Sequence, residues 1–333
     1  MRMQTIGVVG GGAWGTALAA VAARAGRQVV LWAREADVVS AINGQKENTA
    51  FLPGVTLPSG IRATGELADL QAADAILMVS PAQFVRPVSA ALNPHLKSEV
   101  PVVICAKGIE QSSGKLLSEV VAETMPRRPL AALSGPTFAH EVAKGLPAAV
   151  TLASPDERVV AALTAAIGLP TFRPYGSGDI IGVQVGGAVK NVIAIAAGVV
   201  VGRKLGENAR AALITRAMAE MLRFAAAAGG EAETIMGLSG LGDMILTCGS
   251  AQSRNMSLGI ALGEGKRLDD VLAGRTSVSE GVYTAQIVAQ IARDKSLYMP
   301  ISTAVAEILS GGRAIDAVIE DLLHRPFRPE VQE

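Results

Sequence analysis

Cysteine, histidine and aromatic residues are scarce in this 333-residue chain, and their scarcity excludes several classes of protein. The two cysteines, Cys105 and Cys248, stand in no CxxC motif and are too few for a disulfide framework. The three histidines are scattered without metal-ligand spacing, so the sequence predicts no metal site. Aromatic residues make up 3% of the chain, which argues against base-stacking surfaces for nucleic acid.

An excess of charge of either sign is also missing. Thirty basic residues balance thirty acidic ones, so nothing indicates nucleic acid as an electrostatic partner. Half of the residues are hydrophobic, and the length suffices for two domains with sizeable cores. The chain opens directly on a strand pattern, without a secretory signal, and we expect a cytoplasmic protein.

Residues 180–201 (IIGVQVGGAVKNVIAIAAGVVV) are almost wholly apolar, with Lys190 and Asn191 at their middle. About twenty apolar residues can cross a bilayer, so a transmembrane helix is one interpretation. Against it, no comparable second span appears, and no basic cluster flanks this one to orient it. Small residues that let other backbones approach closely recur in it: Gly182, Gly186, Gly187 and Gly198. Because burying a lysine is costly unless it is paired or functional, we predict no membrane span but a buried helix presenting Lys190 to a cleft.

A glycine-rich motif near the N-terminus predicts a dinucleotide site. The apolar strand Thr5–Val9 runs into GGGAWG, a helical pattern follows, and residues 28–33 form a second apolar strand. Gly10 permits the tight turn, Gly12 lets the backbone approach a pyrophosphate, and Gly15 allows close packing of helix on strand. A merely flexible glycine turn is the alternative, but strand and helix flank the motif as a dinucleotide fold requires.

The end of the second strand bears on the choice of cofactor. An acidic residue there usually bonds the ribose 2′-hydroxyl of NAD, whereas an arginine accommodates the 2′-phosphate of NADP. The chain has Arg34 followed by Glu35, which favours NADPH and keeps NADH open. A solvated surface ion pair is the alternative interpretation.

Further apolar strands alternate with helical patterns, as in a doubly wound α/β sheet. They are predicted at residues 75–79, 100–106, 130–133, 148–152 and 171–174. Ligands of such sheets bind beyond the carboxyl ends of the strands, where Lys107 and the turn at residues 134–137 are expected. From residue 179 the period is helical, so we predict a Rossmann-type domain over residues 1–178 and an all-helical domain over residues 179–333.

The helical half offers two further polar motifs. A tight glycine-bearing turn is predicted at residues 237–243; its Asp243 is either an ordinary turn carboxylate or the group that orients Lys190. Ser253, Arg254 and Asn255 open a helix and form a plausible anion cradle, with a simple N-cap as the alternative for the serine. Val278 and Glu280 are expected in a loop before a helix, and pattern alone gives them no role.

Together, GGGAWGTAL, FLPG, KGIE, SGPTFAHEVAKG, GGAVKNVIAIAAG, GLGDMILTC, SRN and SEGVYTA form a series over nearly the whole chain. In this order they resemble the bacterial NAD(P)-dependent glycerol-3-phosphate dehydrogenases. The resemblance implies a cytosolic, usually dimeric enzyme. It would reduce dihydroxyacetone phosphate to sn-glycerol 3-phosphate, the glycerophospholipid backbone.

Carried over residue by residue, the resemblance makes Lys190 the catalytic proton donor and acceptor. The implied substrate contacts are Lys107, Gly135, Thr137, Lys190, Asp243, Ser253, Arg254 and Asn255. Besides the motif glycines, the implied cofactor contacts are Ala13, Trp14, Arg34, Lys107, Ala139, Arg254, Val278 and Glu280. Ala13 stands where serine is common, and Thr137 often appears as serine in the family.

Two rival functions stay in view. A β-hydroxy-acid dehydrogenase of similar build would also use a catalytic lysine, although the cradle at Arg254 favours a phosphorylated substrate. A non-catalytic NAD(P)-binding regulator would not need Lys190, Lys107 and a phosphate cradle together. Burial should lower the pKa of Lys190 while Asp243 and the substrate phosphate raise it, and the sequence does not decide between them.

Overall fold

The computed structural model describes residues 3–274 and 279–327, in which an α/β half precedes a helical half. One sheet of eight strands lies in the first half. Its strands are β1 Thr5–Val9, β2 Gln28–Trp32, β3 Ile61–Thr64, β4 Ala75–Met78, β5 Val102–Ile104, β6 Leu130–Ser134, β7 Ala148–Ala153 and β8 Phe172–Ser177.

Helices follow most strands and make up the second half. In the sheet half they are α1 Ala13–Arg24, α2 Ala36–Gln45, α3 Val85–Leu92, α4 Leu117–Thr124, α5 Ala139–Lys144 and α6 Glu157–Ile167. The helical half contains α7 Ile180–Gly202, α8 Glu207–Ala228, α9 Ala232–Met236, α10 Asp243–Gly249, α11 Arg254–Gly263, α12 Leu268–Ala273, α13 Glu280–Asp294, α14 Pro300–Leu309 and α15 Ile315–Leu323. Short 3₁₀ turns occur at Leu67–Ala72, Ala82–Phe84 and Asn93–His95, and a π-helical segment at Leu238–Gly242.

The sheet has the order β3-β2-β1-β4-β5-β6-β7-β8, so the chain direction across the sheet reverses between β1 and β4. Such a switch point leaves a crevice beyond the strand ends, where dinucleotides bind. The first six strands are parallel, whereas β7 pairs antiparallel with β6 and parallel with β8. The predicted doubly wound sheet is thus confirmed, with one reversed pairing and one strand, β3, that the sequence pattern missed.

Helix α7 runs through the core of the helical half. It is the one described helix that is long and apolar enough to cross a membrane, and 89% of its apolar window is buried in protein. Asp179 caps its first turn, accepting a hydrogen bond from the Gly182 amide at 2.7 Å. The predicted buried helix is confirmed. Apolar residues occur on all of its faces because other elements pack against it on every side.

Helices α7 and α11 touch through paired glycines. A Cβ added at Gly198 would lie 2.2 Å from the Met256 carbonyl oxygen, and one at Gly259 would lie 2.1 Å from that of Ile195. Gly202 and Gly263 repeat the arrangement one turn further along, so each helix carries a glycine pair four residues apart. Any side chain would separate the backbones, and the start of α11 would move away from α7.

Candidate active site

A buried cluster of three charged side chains lies where the two halves meet. Lys190 Nζ donates to Asp243 Oδ1 at 2.9 Å, and Lys107 Nζ donates to Asp243 Oδ2 at 2.6 Å. The side chains of Lys107, Lys190 and Asp243 are 15%, 9% and 1% exposed. Of the two interpretations of Asp243, orientation of Lys190 is the one that this contact supports.

Each member of the cluster comes from a different element. Lys190 projects from the middle of α7, and Lys107 follows β5 at the carboxyl edge of the sheet, as predicted. Asp243 begins α10 and is preceded by a π-helical segment rather than the tight turn expected from the glycines. That segment packs closely on α7, because a Cβ at Gly186 would lie 2.6 Å from the Ser239 carbonyl oxygen. Gly186 therefore allows the close contact between α7 and the segment that leads to Asp243.

Burial dominates the protonation of Lys190. It lowers the pKa of the ammonium group to about 8, against the attraction of Asp243, and the charge of Lys107 lowers it further. Burial alone would raise the pKa of Asp243, yet Lys107 and Lys190 together hold it below its usual value. The carboxylate thus stays ionised near neutral pH while the lysine titrates in the working range of an acid–base catalyst.

Thr247 completes the surroundings of Lys190, and sequence reasoning missed it. Its hydroxyl accepts from Lys190 Nζ at 2.7 Å and donates to Asp243 Oδ1 at 3.1 Å. It lies one helical turn after Asp243 on α10, an i, i+4 spacing that places both on one face. The i, i+4 spacing from Asp243 is the feature of the sequence that could have identified Thr247.

The start of α11 is tied to α7 by a hydrogen-bonded pair of asparagines. Asn255 Nδ2 donates to Asn191 Oδ1 at 2.9 Å, and Asn255 Oδ1 accepts from the Gly281 amide at 3.2 Å. Ser253 caps the helix, accepting from the Met256 amide at 3.2 Å, as the simpler interpretation expected. The predicted SRN motif is thus held beside the lysine cluster. Asn191, which the sequence analysis gave no role, is the link.

Arg254 is the first residue of α11 and lies within electrostatic reach of Glu280. Its side chain is exposed, yet enough protein surrounds the guanidinium that burial lowers its pKa, while Glu280 opposes that shift. Glu280 begins α13 rather than lying in a loop as predicted, and its Oε1 accepts from the Ala82 amide at 3.0 Å. The predicted contact Val278 lies outside the described residues.

The glycine-rich loop has the shape that a pyrophosphate needs. Gly10 has φ of 128°, and a Cβ at Gly15 would lie 1.9 Å from the Gly10 carbonyl oxygen, so both positions require glycine. Gly12, by contrast, has nothing within 4 Å of an added Cβ, and the space beside it is open. Asn48 donates to the Gly11 carbonyl at 2.7 Å and fixes the loop.

Two unpaired polar atoms face the crevice from α13. Glu280 Oε2 and Thr284 Oγ1 are buried without a hydrogen-bond partner among the described residues. A Cβ added at Gly108 would lie 3.3 Å from the first and 3.8 Å from the second, so both atoms adjoin the loop after β5. Buried polar atoms are normally satisfied, which indicates that a bound group completes them. With the open glycine loop, these residues fit a dinucleotide.

The remaining predicted residues divide between the cluster and the sheet. Gly135 adjoins the cluster, since its carbonyl accepts from Lys107 Nζ at 3.0 Å and from Thr137 Oγ1 at 3.1 Å. Trp14 Nε1 donates to the Cys105 carbonyl at 3.2 Å, and Ala13 and Ala139 begin α1 and α5. Arg34 lies apart at the end of β2, where it forms an exposed ion pair with Glu35 at 2.8 Å.

The chain as a whole is similar to known proteins. Family models for the N-terminus and C-terminus of NAD-dependent glycerol-3-phosphate dehydrogenase match residues 5–160 and 179–320. A relative from Parvibaculum lavamentivorans, glycerol-3-phosphate dehydrogenase (NAD(P)+), is 59% identical over 99% of both chains. One of the same name from Caulobacter vibrioides is 55% identical over 99% of this chain and all of its own.

A solved structure agrees in fold with this chain. It is a glycerol-3-phosphate dehydrogenase from Coxiella burnetii, 38% identical, with a TM-score of 0.93 over 97% of this chain and 99% of its own. The resemblance noted from the motifs is therefore confirmed over the full length, and neither rival function is favoured. Both family models match in order on one chain, and the crevice fits a dinucleotide. This protein therefore belongs to the NAD(P)-dependent glycerol-3-phosphate dehydrogenases, an oxidoreductase family.

Proposed function

We propose that this protein reduces dihydroxyacetone phosphate to sn-glycerol 3-phosphate, reversibly, with Lys190 as the proton donor. The observation that carries the proposal is the buried ammonium of Lys190, held by Asp243 and Thr247, with a pKa lowered to about 8. A general acid works best when its pKa lies near the operating pH. The names of the relatives support the same reaction.

A reduced nicotinamide, when bound, would supply a hydride to the carbonyl carbon of the substrate, so the carbonyl oxygen would need a proton. Lys190 donates that proton as an ammonium, and in the reverse direction the neutral amine removes it. Asp243 holds Lys190 and Lys107 in place and compensates their charge. Lys107, which donates to Asp243 Oδ2, is assigned the role of stabilising negative charge that develops on the substrate oxygen.

The phosphate of the substrate is assigned to the start of α11. Arg254 supplies a guanidinium fork and Asn255 an amide, and the amides of the first helical turn favour an anion. Ser253 caps the helix and Thr137 and Gly135 lie beside Lys107, so we assign these three to the substrate as well. Fixing the phosphate orients the carbonyl toward Lys190, which lowers the entropic part of the barrier.

The cofactor is assigned to the glycine-rich loop and the residues around it. Gly10, Gly12 and Gly15 shape the loop, and the start of α1, with Ala13 and Trp14, offers amides to the pyrophosphate. The unpaired Glu280 Oε2 is assigned to the nicotinamide end, with Lys107, Ala139, Arg254 and Val278 as the remaining contacts.

NADPH is the proposed preference, because Arg34 follows the strand whose end meets the adenosine ribose. The ion pair with Glu35 is exposed, so a 2′-phosphate can compete for the guanidinium at little cost. Rates with NADPH and NADH should differ in favour of NADPH, and Arg34→Ala should reduce the ratio about tenfold or more. Arg158→Ala is the matched control, since Arg158 also forms an exposed ion pair with a nearby acid. An unchanged ratio in Arg34→Ala would contradict the assignment.

The reaction itself is tested by the loss of reduced-nicotinamide absorbance with dihydroxyacetone phosphate. Lys190→Ala should lower turnover by roughly a hundredfold or more while cofactor binding stays near normal. Lys266→Ala, at an exposed lysine, should match the wild type. Turnover on hydroxy acids instead would favour the first rival function, and cofactor binding without any turnover the second. The homodimer and the cytoplasmic location implied by the resemblance stay predictions, the former testable by sedimentation.

A further inference from the structure

A cavity of about 850 Å³ lies between the two halves, away from the lysine cluster. Helix α4 and the loop before β6 line one side, and the start of α7 and the ends of α8 and α13 line the other. Its lining among the described residues includes none of Lys107, Lys190 or Asp243. From the rise per residue of an α-helix, the start of α7 lies roughly 14 Å from Lys190 along the helix axis.

The walls of the cavity are apolar over much of their area. Ile180 and Ile181 contribute from α7, Phe224 from α8 and Ile291 from α13. The volume falls in the range of small-molecule sites, which are mostly apolar with a few polar groups that fix orientation. An apolar body of one or two rings would therefore remove its own surface from water here.

The polar part of the lining has an excess of positive charge. Four basic side chains stand against two acidic ones; they are Lys115, Arg127, Arg128 and Lys295, with Glu119 and Asp156. Lys115 pairs with Glu123 and Asp156 with Arg158, both partners outside the lining, which leaves three basic side chains against one acidic one, an excess of plus two. Arg128 donates to the Leu96 carbonyl at 3.1 Å and Lys295 to the Ala227 carbonyl at 2.8 Å. Neither forms an ion pair within the described residues, so their charges are not neutralised by direct contact.

We propose that this cavity binds a small amphiphilic anion. Its apolar body packs against the isoleucines and Phe224, and its one acidic group lies among the basic side chains. A neutral molecule of the same shape would leave the positive charges uncompensated, so charge adds to the affinity. The proposal does not depend on the proposed reaction, because its test measures binding rather than turnover.

The probe is 8-anilino-1-naphthalenesulfonate, whose fluorescence rises in an apolar site, titrated into the full-length protein with NADP+ and NAD+ in excess. We expect a saturable rise that the cofactors do not displace. N-phenyl-1-naphthylamine, which has the same rings without the sulfonate, should bind at least about fivefold more weakly. Equal binding of the two probes, displacement by cofactor, or no saturable rise would each overturn the proposal.

Variants then locate the site. Ala228→Phe places a ring in the cavity and should weaken the binding of the sulfonate probe at least about tenfold. Ala226→Phe, at an exposed position two residues earlier, should leave that binding unchanged. Arg127→Asn removes a positive charge and should lower the affinity for the sulfonate probe about fivefold. Asparagine is chosen because Arg127 has φ of 66°, which asparagine tolerates. Melting temperatures close to that of the wild type establish that the variants fold.

Two further outcomes would overturn the proposal. Equal affinity in Ala228→Phe and Ala226→Phe would mean that the probe binds elsewhere. A signal that appears only on dilution of the protein would mean that a second copy of the chain covers the cavity. The proposal is supported if Ala228→Phe loses affinity for the sulfonate probe and if the neutral probe binds the unchanged protein more weakly.

Discussion

Replacing Asp243 with asparagine keeps the shape of the side chain and removes its charge, and we expect this change to move the pH dependence of the reduction. The two carboxylate oxygens accept from Lys190 at 2.9 Å and from Lys107 at 2.6 Å. An ionised carboxylate offers acceptors on both oxygens, whereas an amide offers one acceptor and two donor hydrogens. One of the two lysines therefore loses its acceptor, and both lose their counter-ion.

The size of the effect follows from the causes that set the pKa of Lys190. Burial lowers it to about 8 although Asp243 raises it. An opposite charge at this distance typically contributes roughly 1–3 pKa units, so the variant's lysine should titrate between roughly 5 and 7. Reduction needs the ammonium form, and its rate falls as the pH rises through this pKa. The falling limb of the profile should therefore move from about 8 to a lower pH.

The assay is kcat/KM for dihydroxyacetone phosphate across pH, which reports the free enzyme. Asp270→Asn, at an exposed acid in the helical half, is the control and should keep the limb near 8. Leaving the buried Lys190 and the partly buried Lys107 without a counter-ion should also lower the free energy of unfolding by roughly 3–5 kcal/mol. A variant that folds, binds cofactor and keeps its limb near 8 would refute the reasoning that Asp243 sets the protonation of Lys190.

Further predictions concern stability and the cofactor loop. Lys190→Met should flatten the pH dependence of stability: since the folded pKa of about 8 lies below the ordinary 10.5, the lysine contributes stability above 10.5 that is lost as the pH falls through 8. The difference is about 3 kcal/mol, measured by urea unfolding at stepped pH. Gly15→Ala should lower both Tm and cofactor affinity, because the added methyl group meets the Gly10 carbonyl, whereas Gly12→Val should weaken the cofactor alone; thermal unfolding and cofactor titration separate the two. Gly198→Ala should cost about 1–3 kcal/mol in urea unfolding, and Gly249→Ala, where the methyl group meets nothing, should not.

The sequence predicted those parts of the fold that depend on short, local patterns of residues. The glycine loop is recognisable because strand, turn and helix follow within one short stretch, and Gly10 and Gly15 both prove to need glycine. Helix α7 is recognisable because its apolar run exceeds any strand in length. The SRN motif opens a helix as its serine indicated.

The parts that were missed depend on partners distant in sequence. Strand β3 has four residues, one of them the exposed Arg62, and pairs only along β2. The antiparallel pairing of β7 is set by how the chain returns to β6 and leaves no local signature. The link from Asn191 to Asn255 joins residues 64 positions apart, and no periodicity reports such a contact.

The arrangement of the site follows from an energetic conflict that is visible in the sequence, a charged lysine within an apolar helix. A lysine in the middle of an apolar helix must be paired, and a pair needs a carboxylate within about 4 Å. Side chains on α7 would hold neighbouring backbones too far away, so glycine occurs where those backbones must approach. Gly186 admits the segment that leads to Asp243, and Gly198 admits α11, which brings Asn255 to Asn191. Two of the four glycines that argued against a membrane span, Gly186 and Gly198, therefore also allow the polar groups to assemble around Lys190.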